Sequence, residues 1–127
     1  MSVRRAFPPK VVAALREGKI LGIRAGEGPH RVIGIWAVVV RDRLFVRSWD
    51  RTPGGWYRTL LEDPRGVIVV RGRQIPIRAV RTRSEALKKA VDLAYREKYD
   101  TPGAVRYVEG FRRSKARRDS TLELVPR

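Results

Sequence analysis

The sequence contains no cysteine and only one histidine, His30, among its 127 residues. Without cysteine the chain forms no disulfide bond, no thiolate metal site and no cysteine nucleophile. A single histidine cannot supply the cluster of imidazole ligands that is typical of a zinc site. The G-x-S-x-G segment of a nucleophilic serine is also absent. The sequence therefore favours ligand binding over nucleophilic or metal-dependent catalysis by its own side chains.

Long apolar runs are missing as well. No stretch approaches the roughly 18 uncharged apolar residues that mark a membrane span. The N-terminal segment MSVRRAFPPK lacks the apolar run that follows the basic residues of a signal peptide. We therefore expect one soluble, cytoplasmic domain over residues 1–127, long enough to bury a core without covalent cross-links.

Acidic residues are few, with 13 against 29 basic ones and a net charge of +16. Such an excess attracts polyanions, and RRSKARR at residues 112–118 is its densest segment. However, 23 of the 29 basic residues are arginines spread along the whole chain. The basic run also lacks interleaved aromatic residues for base stacking. A nucleic-acid or polyanion surface is therefore the alternative interpretation.

The hydrophobic pattern predicts a mainly β, α+β domain with peripheral helices. Helices are expected at about residues 9–18, 56–62 and, at the C-terminal end, about 83–118. Strands are expected at residues 20–25, 31–40, 44–49, 66–71, 74–82 and 120–125. Thr82 and Glu85 have capping-box spacing, which predicts Thr82 as a helix N-cap. Short turns between these strands favour an antiparallel barrel or sheet.

The segment from residue 30 to residue 64 is the most informative part of the chain. It holds every tryptophan of the protein: Trp36, Trp49 and Trp56. Aromatic faces, arginine side chains and glycine amides in one segment suit a flat, phosphorylated ligand. Trp36 lies between two apolar residues and is expected in the core. Trp49, beside Arg47, is the better candidate for a ligand contact.

A glycine pair, Gly54-Gly55, stands in front of the predicted short helix. Free amides at that point favour an anion, and Arg51 and Arg58 flank them with guanidinium groups. The same residues also suit a plain loop that caps the helix, with Trp56 and Tyr57 closing the mouth of a barrel. Both interpretations are open at this point.

Three segments, IGIWAVVVRDRLFVRSW, GGWYRTLLEDP and VIVVRGR, give the chain a resemblance to an uncharacterised bacterial family. That family is similar to the flavin- and deazaflavin-binding split β-barrels, which include the pyridoxamine phosphate oxidase-like proteins. The resemblance covers about residues 20–125. It implies a six-stranded antiparallel split β-barrel that forms a homodimer, with two cofactor sites at the subunit interface.

The resemblance extends to two branches of these barrels. In the oxidase-like branch a Ser-Arg-Lys segment contacts the flavin phosphate, and Gly54, Gly55 and Trp56 stand at the corresponding positions here. The deazaflavin branch has a glycine-rich loop and a helix similar to the one carrying Trp56, Tyr57 and Leu60. FMN, a deazaflavin and another phosphorylated ligand are therefore the candidates, beside a barrel without cofactor.

The resemblance also implies a site and a class of reaction. A flavin-type ring would lie across the strands that carry residues 31–36 and 47–49, where cationic Arg47 would stabilise a reduced, anionic ring. The predicted class is a flavin- or deazaflavin-dependent oxidoreductase with unassigned catalytic residues. The predicted cofactor-binding residues are Arg31, Arg47, Ser48, Trp49, Gly54, Gly55, Trp56, Tyr57 and Arg58.

Overall fold

The computed structural model describes residues 6–28, 30–49 and 55–127. In these ranges no helix is long and apolar enough to cross a membrane. The helices are α1 (Pro9–Glu17), α2 (Trp56–Glu62), α3 (Glu85–Lys98), α4 (Pro102–Arg113) and α5 (Lys115–Asp119). The strands are β1 (Leu21–Ala25), β2 (Ile33–Ile35), β3 (Ala37–Val40), β4 (Arg43–Val46), β5 (Arg65–Val70), β6 (Arg73–Arg81) and β7 (Leu122–Pro126).

The strands form one antiparallel sheet in the order β2-β1-β5-β6-β7-β4-β3. β2 and β3 therefore lie at opposite edges of the sheet, although only Trp36 separates them along the chain. Because one residue joins the two edges, the edges meet and the sheet curls into a nearly closed barrel. The predicted split barrel with peripheral helices is confirmed.

The prediction of one continuous strand over residues 31–40 is wrong. The segment changes partners at Trp36, since Ile33 pairs with Ile23 of β1 whereas Val38 pairs with Phe45 of β4. A single straight strand could not reach both edges of the sheet with its two halves. The sheet therefore has seven strands instead of the six that the sequence predicted.

The prediction of Thr82 as the N-cap of α3 is also wrong. The helix begins at Glu85, and the hydroxyl of Ser84 accepts a hydrogen bond from the backbone amide of Leu87 at 3.2 Å. The backbone amide of Thr82 instead donates to the carbonyl of Thr121 at 3.0 Å. Thr82 is thus held beside the sheet, and the helix starts two residues later.

Two apolar cores lie on the two faces of the sheet. β4 contributes to both, because its side chains alternate: Leu44 and Val46 pack inside the barrel, whereas Phe45 packs in the outer core. The outer core lies between β3, β4 and the helices α3 and α4. This alternation also sends the side chains after β4 to opposite faces, which positions the candidate site.

A close backbone contact crosses the sheet at Gly66, the second residue of β5. A Cβ atom on Gly66 would lie 2.8 Å from the carbonyl oxygen of Arg24, in the neighbouring strand. Backbone atoms in a paired strand cannot move aside without disturbing the ladder of hydrogen bonds. The spacing between β1 and β5 therefore requires glycine at this position.

We expect Gly66→Ala to lower the free energy of unfolding by about 2 kcal/mol, because the added methyl group overpacks the sheet. Gly103→Ala is the control, since no atom lies within 4 Å of the Cβ that it adds near the start of α4. Urea unfolding followed by circular dichroism measures both. Equal stability of the two variants would contradict the steric argument.

Candidate ligand-binding site

An aromatic cleft opens where the break between β2 and β3, the end of β4 and the helix α4 come together. Its volume is about 310 Å³, at the lower end of the range for small-molecule sites. We call it the aromatic cleft. It is lined by Gly34, Ile35, Trp36, Arg47, Trp49, Trp56, Tyr107 and Phe111.

Trp36 forms one wall of the cleft and connects it to the outer core. Its ring stacks on Tyr99, the residue that follows α3, with centroids 4.2 Å apart and planes inclined by 8°. Tyr107 and Phe111 of α4 meet the same indole edge to face. Trp36, predicted as a core residue, is half-buried and packs against the core while it lines the cleft.

Trp49 forms the opposite, more exposed wall, with 40% of its surface accessible. Its ring lies 5.1 Å from that of Tyr107 and 5.5 Å from that of Phe111, both edge to face. A Cβ atom on Gly110 would lie 2.5 Å from the indole. The indole therefore packs directly onto the backbone of α4, and glycine at position 110 makes that approach possible.

Arg47 lies behind the cleft with a fully buried side chain. Its Nε donates to the hydroxyl of Thr121 at 2.8 Å, and its Nη2 donates to the carbonyl of Lys88 at 2.9 Å. Nη1 pairs with the carboxylate of Asp92. Every nitrogen of the guanidinium thus has a partner within the protein, so Arg47 brings a fixed positive charge to the cleft wall.

A second ion pair and a buried tyrosine hydroxyl lie beside Arg47. The buried Lys88 pairs with Asp119 at 3.0 Å. Hydrogen bonds from Lys115 and Lys88 lower the pKa of Asp119 to about 2, so its carboxylate stays ionised. Burial raises the pKa of Tyr95, whose neutral hydroxyl accepts a hydrogen bond from the Arg47 amide at 3.1 Å. The layer behind the cleft is therefore a paired network.

A second cavity of about 280 Å³ adjoins the aromatic cleft, and Trp56 lines both. We call it the His30 cavity. Ile33 lines this cavity, whereas Ile35 lines the aromatic cleft. Because alternate residues of a strand lie on the same face, these two side chains of β2 are next to each other. The two cavities are therefore neighbours along β2. The His30 cavity is lined by Ile23, Ala25, His30, Arg31, Ile33, Gly55, Trp56 and Thr59.

Five of the predicted site residues line one or both of these cavities. Arg47, Trp49 and Trp56 line the aromatic cleft. Arg31 and Gly55 line the His30 cavity together with Trp56. The structure thus brings these five residues into one region, with Trp56 at the boundary between the two cavities.

The other predicted residues have different surroundings. Ser48 is buried, and its backbone amide donates to the hydroxyl of Ser120 at 2.9 Å. Tyr57 is buried in the barrel core, and Arg58 is exposed on α2. Gly54 lies outside the described residues. The roles of these four residues in cofactor binding stay predictions.

The sequence-based site omits the aromatic residues of α4. Tyr107 and Phe111 are four residues apart, and such a pair shares one face of a helix. That spacing is visible in the sequence, but it does not reveal where the helix packs. Only the tertiary structure places this face against Trp36 and Trp49.

The fold is shared with solved split-barrel structures at low sequence identity. A pyridoxamine 5'-phosphate oxidase-like protein from Listeria innocua has a TM-score of 0.59 and 11% identity, covering 93% of this chain and 90% of that one. An F420 reductase has a TM-score of 0.52 and 14% identity, with coverages of 95% and 94%. A FAD-binding protein from Mesorhizobium loti has a TM-score of 0.53 and 12% identity, with coverages of 98% and 92%.

The protein is therefore a split β-barrel of the architecture found in flavin- and deazaflavin-binding proteins. Residues 10–124 match the family described as "Uncharacterized protein conserved in bacteria (DUF2255)", and the chain belongs to this family. No curated protein matches the sequence.

We expect Arg47→Met to lower the free energy of unfolding by about 3 kcal/mol, because it leaves Asp92 without its buried partner. Arg16→Met is the control, since Arg16 and Asp42 form an exposed ion pair worth less than about 1 kcal/mol. Urea unfolding measures both. A loss below about 1 kcal/mol for Arg47→Met would contradict a structural role for the network.

We expect Gly110→Ala to move the indole of Trp49 while leaving the stability of the protein nearly unchanged. Alanine favours the helix by up to about 1 kcal/mol, which offsets the steric cost at the exposed indole. The indole N–H signal of Trp49 in two-dimensional NMR reports the movement. Gly103→Ala, in the same helix, should leave that signal in place. An unshifted signal in Gly110→Ala would contradict the close packing.

Proposed function

We propose that the protein binds a planar, phosphorylated cofactor of the flavin or deazaflavin type, FMN or a deazaflavin, with the ring in the aromatic cleft. The observation that carries this proposal is the convergence of all three tryptophans, Trp36, Trp49 and Trp56, on one cleft. Stacking on indole faces favours a flat ring over a flexible chain. The shared fold of flavin-type split barrels supports the same ligand class.

The described residues fit the ring part of such a cofactor. The walls are mainly aromatic, and the polar groups at the cleft include the indole N–H groups and the hydroxyl of Tyr107. Arg47 would contribute the positive end of its ion pair with Asp92, because a buried charge acts through a medium of low dielectric constant. That charge would favour negative charge on the ring, as proposed from the sequence.

The phosphate would lie at the edge of the cleft. Arg31 and Gly55 line the neighbouring His30 cavity, and the exposed Arg58 follows on α2. Gly54 and Ser48 complete the set of cofactor-binding residues proposed from the sequence. Tyr57 would support α2 from the barrel core. A guanidinium group binds a phosphate through two hydrogen bonds, so Arg31 is the strongest candidate in this set.

We further propose a homodimer in which a second copy covers the cleft. Exposed apolar side chains lie at and near the cleft: Tyr107 lines it, Ile20 lies against the lining residue Gly34, and Val32 is two residues from Gly34. Contiguous exposed apolar surface is typical of an interface. Sedimentation velocity tests the dimer, and a monomer of 14.5 kDa at high concentration would contradict it.

A bound flavin-type cofactor would supply hydride transfer, a reaction that amino-acid side chains do not perform by themselves. The protein itself would bind the ring between indoles, exclude water through the aromatic walls and hold the charge of Arg47 nearby. The proposed activity is therefore that of an oxidoreductase. A barrel that has lost its cofactor is the alternative that the binding experiment tests.

We expect the purified protein to bind FMN or a deazaflavin, detected by the absorption spectrum and by quenching of tryptophan fluorescence on titration. Trp49→Ala should weaken binding about tenfold, because one stacking wall is lost. Leu93→Ala removes an exposed apolar side chain of α3 that does not line the cleft, and it should bind normally. Absence of binding to either cofactor at high micromolar concentration would favour the cofactor-free barrel.

A further inference from the structure

Four of the five cations in the basic run at residues 112–118 have carboxylate partners within the protein, and these carboxylates are shared. Its paired cations are Arg112 and Arg113 with Glu109, Lys115 with Asp119, and Arg118 with Glu85 and Asp92. These pairings weigh against a dedicated polyanion surface. Arg117 differs, because it has no carboxylate partner among the described residues.

Arg117 is nevertheless held in a fixed orientation. Its guanidinium carbon lies 3.6 Å from the ring centroid of Trp49, which is a stacked cation–π contact. Its Nε donates to the carbonyl of Trp49 at 3.0 Å. Two contacts to one residue therefore fix the guanidinium on the indole.

Besides the engaged Nε, the guanidinium of Arg117 carries two further donor nitrogens, Nη1 and Nη2. Neither has a hydrogen-bond partner in the part of the chain that the structure describes, where the guanidinium of Arg117 donates only through Nε, to the carbonyl of Trp49. An arginine already held in place loses little side-chain entropy when it binds an anion. Arg117 is thus a preorganised cation that stacks on Trp49, one of the tryptophans that line the aromatic cleft.

We propose that Arg117 binds an anionic oxygen, from a phosphate or a carboxylate, on a ligand held at the aromatic cleft. The inference that this ligand has a planar part rests on the proposed function, whereas the anion contact rests on the geometry of Arg117 itself. The anion has two possible sources: the phosphate of the cofactor, or an acidic group of a second small molecule placed against the ring.

Three variants separate this role from general charge. Arg117→Met keeps a long side chain over the indole but removes the charge and the hydrogen-bond donors. Arg113→Met removes the same charge from the neighbouring end of α4, where the arginine is exposed and faces Glu109 at 3.5 Å. Arg117→Lys keeps the charge without the planar fork and should restore part of the binding.

The first experiment titrates inorganic phosphate and follows the indole N–H signal of Trp49 by NMR. We expect a saturable shift in the wild type and in Arg113→Met, and no saturable shift in Arg117→Met. A response that does not saturate, or one that Arg117→Met retains, would overturn the proposal. This readout does not require a cofactor, so it decides the anion site even if the proposed function fails.

The second experiment compares FMN with riboflavin, which carries the same ring without the phosphate. If the anion is the cofactor phosphate, FMN should bind at least about tenfold more tightly, and Arg117→Met should remove this preference while Arg113→Met keeps it. A preference that persists in Arg117→Met but is lost in Arg31→Met assigns the cofactor phosphate to the His30 cavity. If the first experiment also gave a saturable response to phosphate, the anion that Arg117 binds belongs to a second molecule. Failure of both flavins to bind would contradict the FMN form of the proposed function and leave the anion site untouched, and the deazaflavin titration described above would then decide the remaining form.

Discussion

The buried guanidinium of Arg47 is the interaction on which the outer half of this structure depends. From the end of β4 it donates to the carbonyl of Lys88 on α3, to the carbonyl of Phe111 on α4 and to the hydroxyl of Thr121 before β7. A buried cation must keep such partners, since leaving it unpaired is costly. One side chain therefore sets the positions of two helices and the last strand relative to the barrel.

The aromatic cleft is a consequence of this arrangement. Its walls come from parts of the chain that are far apart: Trp36 and Trp49 from the barrel, and Tyr107 and Phe111 from α4. Their relative positions are fixed by the polar network behind them and by the close approach of Trp49 to α4. Ionic pairing and aromatic packing thus act together, the first in orienting the helices and the second in shaping the surface that faces a ligand.

The sequence predicts this fold well where local patterns determine it, and less well where long-range contacts do. The strand predicted at residues 44–49 overlaps β4, where Leu44, Phe45 and Val46 alternate between the two cores, since strand periodicity is a local property. The break at Trp36 was missed because both halves of the segment are equally apolar and only their pairing partners differ. The partners of Arg47 lie more than 40 residues away in sequence, and no local pattern identifies them.

The break at Trp36 also has a consequence for the mechanics of the barrel. β2 and β3 lie at opposite edges of the sheet and share no ladder of hydrogen bonds, so no strand pairing holds the seam between them. The contacts of Trp36 with Tyr99, Tyr107 and Phe111 are worth only about 0.5–1.5 kcal/mol each. Widening of the seam therefore breaks no hydrogen bond between strands, whereas the carbonyl of Trp36 and the amide of Ala37 are held by the hydroxyls of Tyr95 and Tyr99. Strand pairing therefore leaves the barrel unconstrained along this one line among the described strands, and the line passes Gly34, Ile35 and Trp36, which line the cleft.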